Sequence, residues 1–208
     1  MNIHEFFAEN NLDERIRNTY FPDYTYKGTV IEVGAATPSF LSFSKHFALN
    51  GWRAILIEPN PYFVEQHKKL SNEIYEYACS YEDADNVDFT IYHQNIGDIT
   101  DHSFSSFYLK EEYQLMSNNI AQTLNTTSIK VKTRTLDTII KETNISNIDI
   151  LSIDVEGWEL EVLRGLTIMK PKIIILENLF NWPSYREYVC SLGYTFVKHD
   201  TFDDIYSL

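Results

Sequence analysis

The run Asp149-Ile150-Leu151-Ser152-Ile153-Asp154-Val155-Glu156-Gly157-Trp158-Glu159 constrains the fold more than any other part of the chain. An apolar strand stops abruptly in acids, with a glycine and a helix start behind it. Strands that are apolar on both faces must be covered on both faces, which places this one inside a parallel sheet. Its charged end then lies at the carboxyl edge, where open α/β folds bind their ligands. Two similar strand ends precede it, at Glu32 and Glu58, and one follows, at Glu177. Four acids at one edge suit a ligand that is polyhydroxylated or cationic.

The rest of the pattern alternates strands with helices. Strands are predicted at Thr29 to Val33, Arg53 to Glu58, Ile74 to Cys79, Ile148 to Asp154 and Lys172 to Leu176. After the first strand, Thr37 suits a helix cap and Pro38 a first turn, with Asn50-Gly51 as the stop. Pro59-Asn60-Pro61 opens a second helix. Further helices are predicted at Leu136 to Thr143, Glu156 to Arg164 and Ser184 to Leu192. Val87 to Tyr92 and Ile129 to Arg134 alternate and pair. Tyr194 to Lys198 and Asp203 to Tyr206 form a closing antiparallel hairpin. Residues 1–28 are a helical N-terminal segment, with Phe6, Phe7, Leu12 and Ile16 inward in a helical stretch from Ile3 to Phe21. Residues 93–128 are a polar excursion over the site. The expectation is a single α/β domain over residues 1–208: a mostly parallel, twisted, Rossmann-like sheet with helices on both faces and a C-terminal antiparallel hairpin.

Composition excludes several classes. The 208 residues are 44% hydrophobic, enough for a full core. A formal net charge of -13 argues against nucleic acid as a partner. No apolar run reaches the roughly 18 residues of a membrane span, and Met1 to Glu9 lacks a secretory pattern. The expected location is cytoplasmic. Cys79 and Cys190 and the six histidines have no zinc-ligand spacing.

The first turn, Glu32-Val33-Gly34-Ala35-Ala36-Thr37-Pro38, carries one glycine where a dinucleotide enzyme needs three. Pyrophosphate therefore fits it poorly. S-Adenosylmethionine has no phosphate, and its cationic groups suit Glu32. Glu58 ends the second strand where a carboxylate can accept from both ribose hydroxyls. Ala78 and Cys79 end the third strand, where an adenine ring would rest.

At these residues the chain resembles the FkbM family of S-adenosylmethionine-dependent methyltransferases. The matching pieces are Val30-Ile31-Glu32-Val33-Gly34-Ala35, Glu58-Pro59-Asn60, Thr135-Leu136-Asp137 with its preceding strand, and the Asp149 to Glu159 run. Val162 to Gly165, Ile175-Leu176-Glu177 and Leu192-Gly193-Tyr194 follow in order. The resemblance implies a class I methyltransferase fold and methyl transfer to a hydroxyl of a glycan, sugar or secondary metabolite. It implies cofactor contacts from Glu32, Gly34, Ala35, Glu58, Pro59, Ala78 and Cys79.

Asp154 is the candidate base, and Glu156 either shares that task or holds the helix start. Asp154, Glu177 and Asn178 form an all-oxygen set that would suit magnesium. Tyr92, Phe104, Phe107, Tyr108 and Tyr113 offer either an aromatic platform for a small-molecule or glycan acceptor or the small core of a lid. Ala36, Pro38 and Ser152 depart from the family pattern and keep a non-catalytic binding module in view. A nucleotide-sugar or NAD-dependent Rossmann enzyme is the remaining alternative.

Overall fold

The structure, a computed structural model, describes residues 4–96, 99–101, 105–107, 110–113, 115 and 125–208. Its centre is a seven-stranded sheet in the order β10-β11-β9-β8-β1-β2-β3. The strands are β1 (Thr29–Val33), β2 (Arg53–Ile57), β3 (Ile74–Tyr75), β8 (Ile150–Ile153), β9 (Ile173–Glu177), β10 (Thr195–Asp200) and β11 (Asp203–Ser207). Every ladder is parallel except those of β11, which lies antiparallel between β9 and β10. The closing hairpin is thus built into the sheet, with its returning strand inside and its first strand at the edge.

Strand periodicity sorts the side chains between two cores. Ile31, Val33, Leu151, Ile153, Ile174 and Leu176 face a core shared with α4 (Leu136–Thr143), α5 (Glu159–Arg164) and α6 (Pro183–Ser191). Val30, Ile150, Ile173, Ile175 and Ile205 face the other core, with α1 (Leu12–Tyr20) and α2 (Ser44–Leu49). Five consecutive buried residues in β1 reflect cover on both faces. By the same alternation Glu32, Asp154, Glu177 and Asp203 fall on the α1–α2 side, at the carboxyl edge.

Four boundaries differ from the sequence reading. The helix predicted from Thr37 begins only at Ser44, because Ala36 and Leu41 are left-handed (φ 40° and 57°). Thr37 instead closes a local turn, its hydroxyl accepting from Phe40 N at 3.1 Å. The N-terminal helix starts at Leu12 rather than near residue 3, since left-handed Asn10 and Asn11 break it; Phe6 and Phe7 lie before the break, and residues 1–3 lie outside the described residues. The helix predicted from Glu156 begins at Glu159. The predicted third strand is two: β3 joins the main sheet, while β4 (Ala78–Cys79) pairs with β7 (Asn125–Arg134).

A second sheet, β4-β7-β5-β6, rises from that break. In it β5 (Ala84–Ile96) and β7 pair antiparallel, as the alternating runs predict, and β6 (Ile99–Asp101) extends the arm. The strands run into the predicted excursion from both ends, and Ser106 returns alongside Thr90. Helix α3 (Pro61–Lys69) starts where Asn60 accepts from Tyr62 N at 3.0 Å with proline in its first turn. Thr135 caps α4 in the same way, from Thr138 N at 3.1 Å.

Candidate functional site

The turn after β1 passes close over β8. Gly34 has φ 85°, and a Cβ there would lie 1.8 Å from the Asp154 carbonyl oxygen. No side chain fits, so glycine is required by proximity as well as by conformation. Gly34 N and Ala35 N both donate to Ile57 O, at 3.0 and 3.2 Å. The turn is therefore pinned across both neighbours of β1.

Glu32 and Glu58 organise this turn from opposite sides. Glu32 accepts from Phe43 N at 2.8 Å, Ser44 N at 3.2 Å, and the Ser42 and Ser44 hydroxyls. Its carboxylate fixes the start of α2, and these donors occupy both oxygens. Burial raises it to about 6 even so. Glu58 accepts from Ala36 N at 2.9 Å through one oxygen and Asn60 N at 2.8 Å through the other. Each oxygen keeps a further lone pair. Burial, with Glu32 adding repulsion, raises Glu58 to about 7. Behind the turn, Asn72 Nδ2 lies 2.9 Å from His67 Nδ1, and His67 Nε2 lies 3.0 Å from Ala36 O. Those partners assign the neutral ring with its proton on Nε2, donating to Ala36.

Asp154 extends the β8 ladder by donating its N–H to Val33 O at 3.0 Å. The residue is exposed at the sheet edge, although protein atoms surround its carboxyl group. Burial there, then the Glu159 and Glu9 carboxylates, push it up to about 7. Glu156 and Gly157 follow with φ 57° and 93°. A left-handed glutamate is strained backbone, of the kind that persists where surrounding contacts hold it. Glu159 does the holding: one oxygen accepts from Val155 N and Gly157 N at 3.1 and 3.0 Å, the other from Tyr185 OH at 2.6 Å. The sequence reading gave Glu159 no role, although it closes the most informative run.

Glu177, at the end of β9, accepts from Tyr113 OH at 2.8 Å. Burial and the Asp154 and Glu156 charges push it well above the ordinary carboxylate range. Asp203 pairs with Glu177 in the β11–β9 register. Burial, then Asp154 and Glu9, raise Asp203 to about 8. From the sequence Asp203 reads only as the first residue of a hairpin strand, with no role at the edge.

Asn178, of the magnesium set, is engaged in the turn after β9. Asn178 donates to Trp182 O at 3.1 Å and Asp204 Oδ2 at 2.8 Å, and accepts from Trp182 N at 2.7 Å. Its amide shapes the β9–α6 turn. Among the described residues no group of three or more His, Cys, Asp or Glu side chains is placed to hold a metal ion.

Ala78 and Cys79 are buried, but their side chains enter cores. Cys79 belongs to the main core, and Ala78 to the small core of the second sheet with Phe89, Ile91 and Val131. Pro59 instead lines a groove of about 530 Å³ between the two sheets, with Pro61, Tyr75 and Tyr77 among its walls. On the other side of the edge, Lys110 and Tyr113 pack against Gly157, where a Cβ would meet the Tyr113 ring at 2.9 Å. Phe107 stands edge-on to Trp158 at 5.1 Å, and the Lys110 ammonium lies 5.9 Å from the Trp158 ring centre and 5.6 Å from that of Trp182. Of the predicted aromatic platform, Phe104 and Tyr108 lie outside the described residues.

Comparison with known proteins adds to this geometry. A family model described as the methyltransferase FkbM domain matches residues 32–205. The crystal structure of a methyltransferase FkbM from Methylobacillus flagellatus KT shares the fold, with a TM-score of 0.52 and 13% identity. The alignment covers 91% of this chain and 46% of that one, so the chain spans about half the length of that relative. No curated protein matches it.

Proposed function

The chain belongs to the FkbM methyltransferase family, and from that premise we propose that it is an S-adenosylmethionine-dependent O-methyltransferase acting on a hydroxyl of a glycan, sugar or secondary metabolite. The observation that carries the reading is Glu58. It follows β2, ties the Gly34 turn to the start of α3, and each of its oxygens has acceptor capacity beyond those bonds. Two such acceptors match the two hydroxyl donors of a vicinal diol, as in a ribose. The groove beside Pro59, with its tyrosine walls, suits an adenine ring next to that ribose. Gly34 and Ala35 lend close backbone approach. Glu32 acts as a positioning residue, because α2 already occupies its oxygens.

When bound, the cofactor supplies an electrophilic methyl group on a sulfonium. The protein's own part is to hold the acceptor oxygen in line and receive its proton. Asp154 is assigned that proton. Its carboxyl is raised above the ordinary carboxylate range, which brings its proton affinity closer to what a general base requires. Glu156, on the strained turn beside it, is assigned to orient the acceptor hydroxyl. The acceptor side is assigned to the segment carrying Phe107, Lys110 and Tyr113, supported by its packing on Gly157 and Trp158. Among the described residues no helix is long and apolar enough to cross a membrane.

Calorimetric titration tests the cofactor. S-Adenosylmethionine and S-adenosylhomocysteine should bind, and NAD should not. Binding of NAD in place of the other two would overturn the reading.

A further inference from the structure

We propose that a box of side chains on the α1–α2 side of the sheet, built round Arg17 and Trp52, binds a small monovalent anion of the halide class. The inference goes beyond the cofactor reading and does not depend on it.

Five side chains form the box as a closed circuit. The Arg17 guanidinium lies 4.2 Å from the Tyr24 ring centre and 5.6 Å from that of Trp52. The circuit runs on from Trp52 to Phe47 at 4.9 Å, from Phe47 to His46 at 5.4 Å, and from His46 back to Tyr24 at 6.1 Å. It joins α1, the loop after it, α2 and the residue before β2. Arg17, His46 and Phe47 have no exposed surface and Trp52 is 5% exposed; Tyr24 is the half-buried member.

Among the described residues, six buried side-chain polar atoms have no partner, and four of them belong to this box: Arg17 Nε and Nη1, Trp52 Nε1 and His46 Nε2. Buried polar atoms are nearly always satisfied by protein, water or an ion, so a shortfall concentrated in one place marks a ligand.

Charge selects an ion over water. Arg15, Arg53, Arg134, Arg164 and Arg186 each pair with a carboxylate. Fully buried Arg17 pairs with none among the described residues. It donates through Nη2 to Asp23 O at 3.1 Å and otherwise meets ring faces. Asp13, one turn earlier on α1, is equally buried, but its Oδ2 accepts from Phe7 N at 2.7 Å and its Oδ1 from Glu14 N at 3.0 Å. A buried guanidinium without a counter-charge is costly; water answers its hydrogen bonds but not its charge, and an anion answers both. Arg17 Nε, Arg17 Nη1 and Trp52 Nε1 are donors without acceptor capacity. His46 Nδ1 donates to Glu5 O at 2.8 Å, so Nε2 carries a lone pair in the neutral ring; His46 is a wall that turns donor only when protonated. With four of five walls buried, the box suits a halide and excludes an anion as large as gluconate.

The test follows thermal unfolding of the full chain in sodium chloride or bromide against sodium gluconate, at equal ionic strength so that screening is constant. A halide at about ten times its dissociation constant should raise Tm by about 3–6 °C. Arg17→Met should abolish that response. Trp52→Phe keeps a ring, loses the Nε1–H and should weaken halide affinity about two- to tenfold; it carries the test if Arg17→Met does not fold. Crystals soaked in bromide should show an anomalous peak against Arg17 and Trp52 Nε1. Equal Tm in halide and gluconate, with no bromide peak in the box, overturns the proposal and leaves water as the occupant. A halide response undiminished in either variant also overturns it.

Discussion

Two carboxylates differ in what their lone pairs are free to do. Glu32 is occupied by α2, whereas Glu58 keeps capacity at the edge. Glu58→Gln should therefore weaken S-adenosylmethionine by about 2–4 kcal/mol, since hydrogen bonds to a charged group are worth about 1.5–3 kcal/mol each. Calorimetry on a folded variant with parental affinity would remove Glu58 from the site. Glu32→Gln should instead act on folding, because it loosens the start of α2. Asp154→Asn should bind cofactor and lose turnover by at least about a hundredfold, the usual range for a positioned base. Turnover near the parental rate with a true acceptor would clear Asp154 of that role. Asp149, in the same run, has a different task. It holds Lys172 at 2.6 Å, Tyr26 OH at 2.6 Å and Thr29 N at 2.9 Å, at the far end of the sheet.

Turns between elements carry the tightest constraints. Gly34→Ala would place a Cβ inside the Asp154 carbonyl and force a left-handed alanine. A loss of about 3 kcal/mol or more is expected, on strain alone. Denaturant unfolding measures it, and a midpoint within error of the parent would show that the β1 turn can move. Tyr113 ties its segment to the carboxyl ends of β8 and β9, by its ring on Gly157 and its hydroxyl on Glu177. Tyr113→Phe keeps the ring and should cost about 1–2 kcal/mol. It should also raise the Glu177 carboxyl further, because the Tyr113 hydroxyl is what lowers it. An NMR titration of Glu177 in the two proteins decides the point. A value that stays put or falls would break the tie.

Across the whole molecule the acids at the edge set the pH dependence of stability. Folded Glu58 and Asp154 titrate near 7 and Asp203 near 8, against about 4 for free carboxylates. Between those values the folded chain binds more protons than the unfolded one, so stability falls as pH rises. Buried His46 and His67 act oppositely: burial lowers both, and their contribution is lost as pH falls below about 6.5. From about 7.5 to 8.5 the histidines are neutral in both states and the acids act alone. Tm of the ligand-free protein should fall by a few degrees over that window. Asp203→Asn should flatten the slope, and a cationic ligand should stabilise more at its upper end. A Tm that climbs with pH across the window would contradict this account.

The sheet, its two covered faces and the carboxyl-edge acids were legible in the sequence because they follow from local rules. Alternation with period 2 assigns Glu32, Asp154 and Glu177 to one face once the strands are recognised, and glycine and proline mark most turns. The pairing of Val87–Tyr92 with Ile129–Arg134 was legible for the same reason. What each acid does with its oxygens was not. Glu32 is used by residues 42–44 because left-handed Ala36 and Leu41 delay α2 until Ser44. Asn178 is used by Trp182 and Asp204, Glu159 by the backbone before it and by Tyr185. The split of Ile74–Cys79 between two sheets depends on where β7 docks. Asp203 comes beside Glu177 only when the C-terminal hairpin docks on β9. Periodicity reports which way a side chain faces; its partners come from segments far away in sequence, and only tertiary packing decides them.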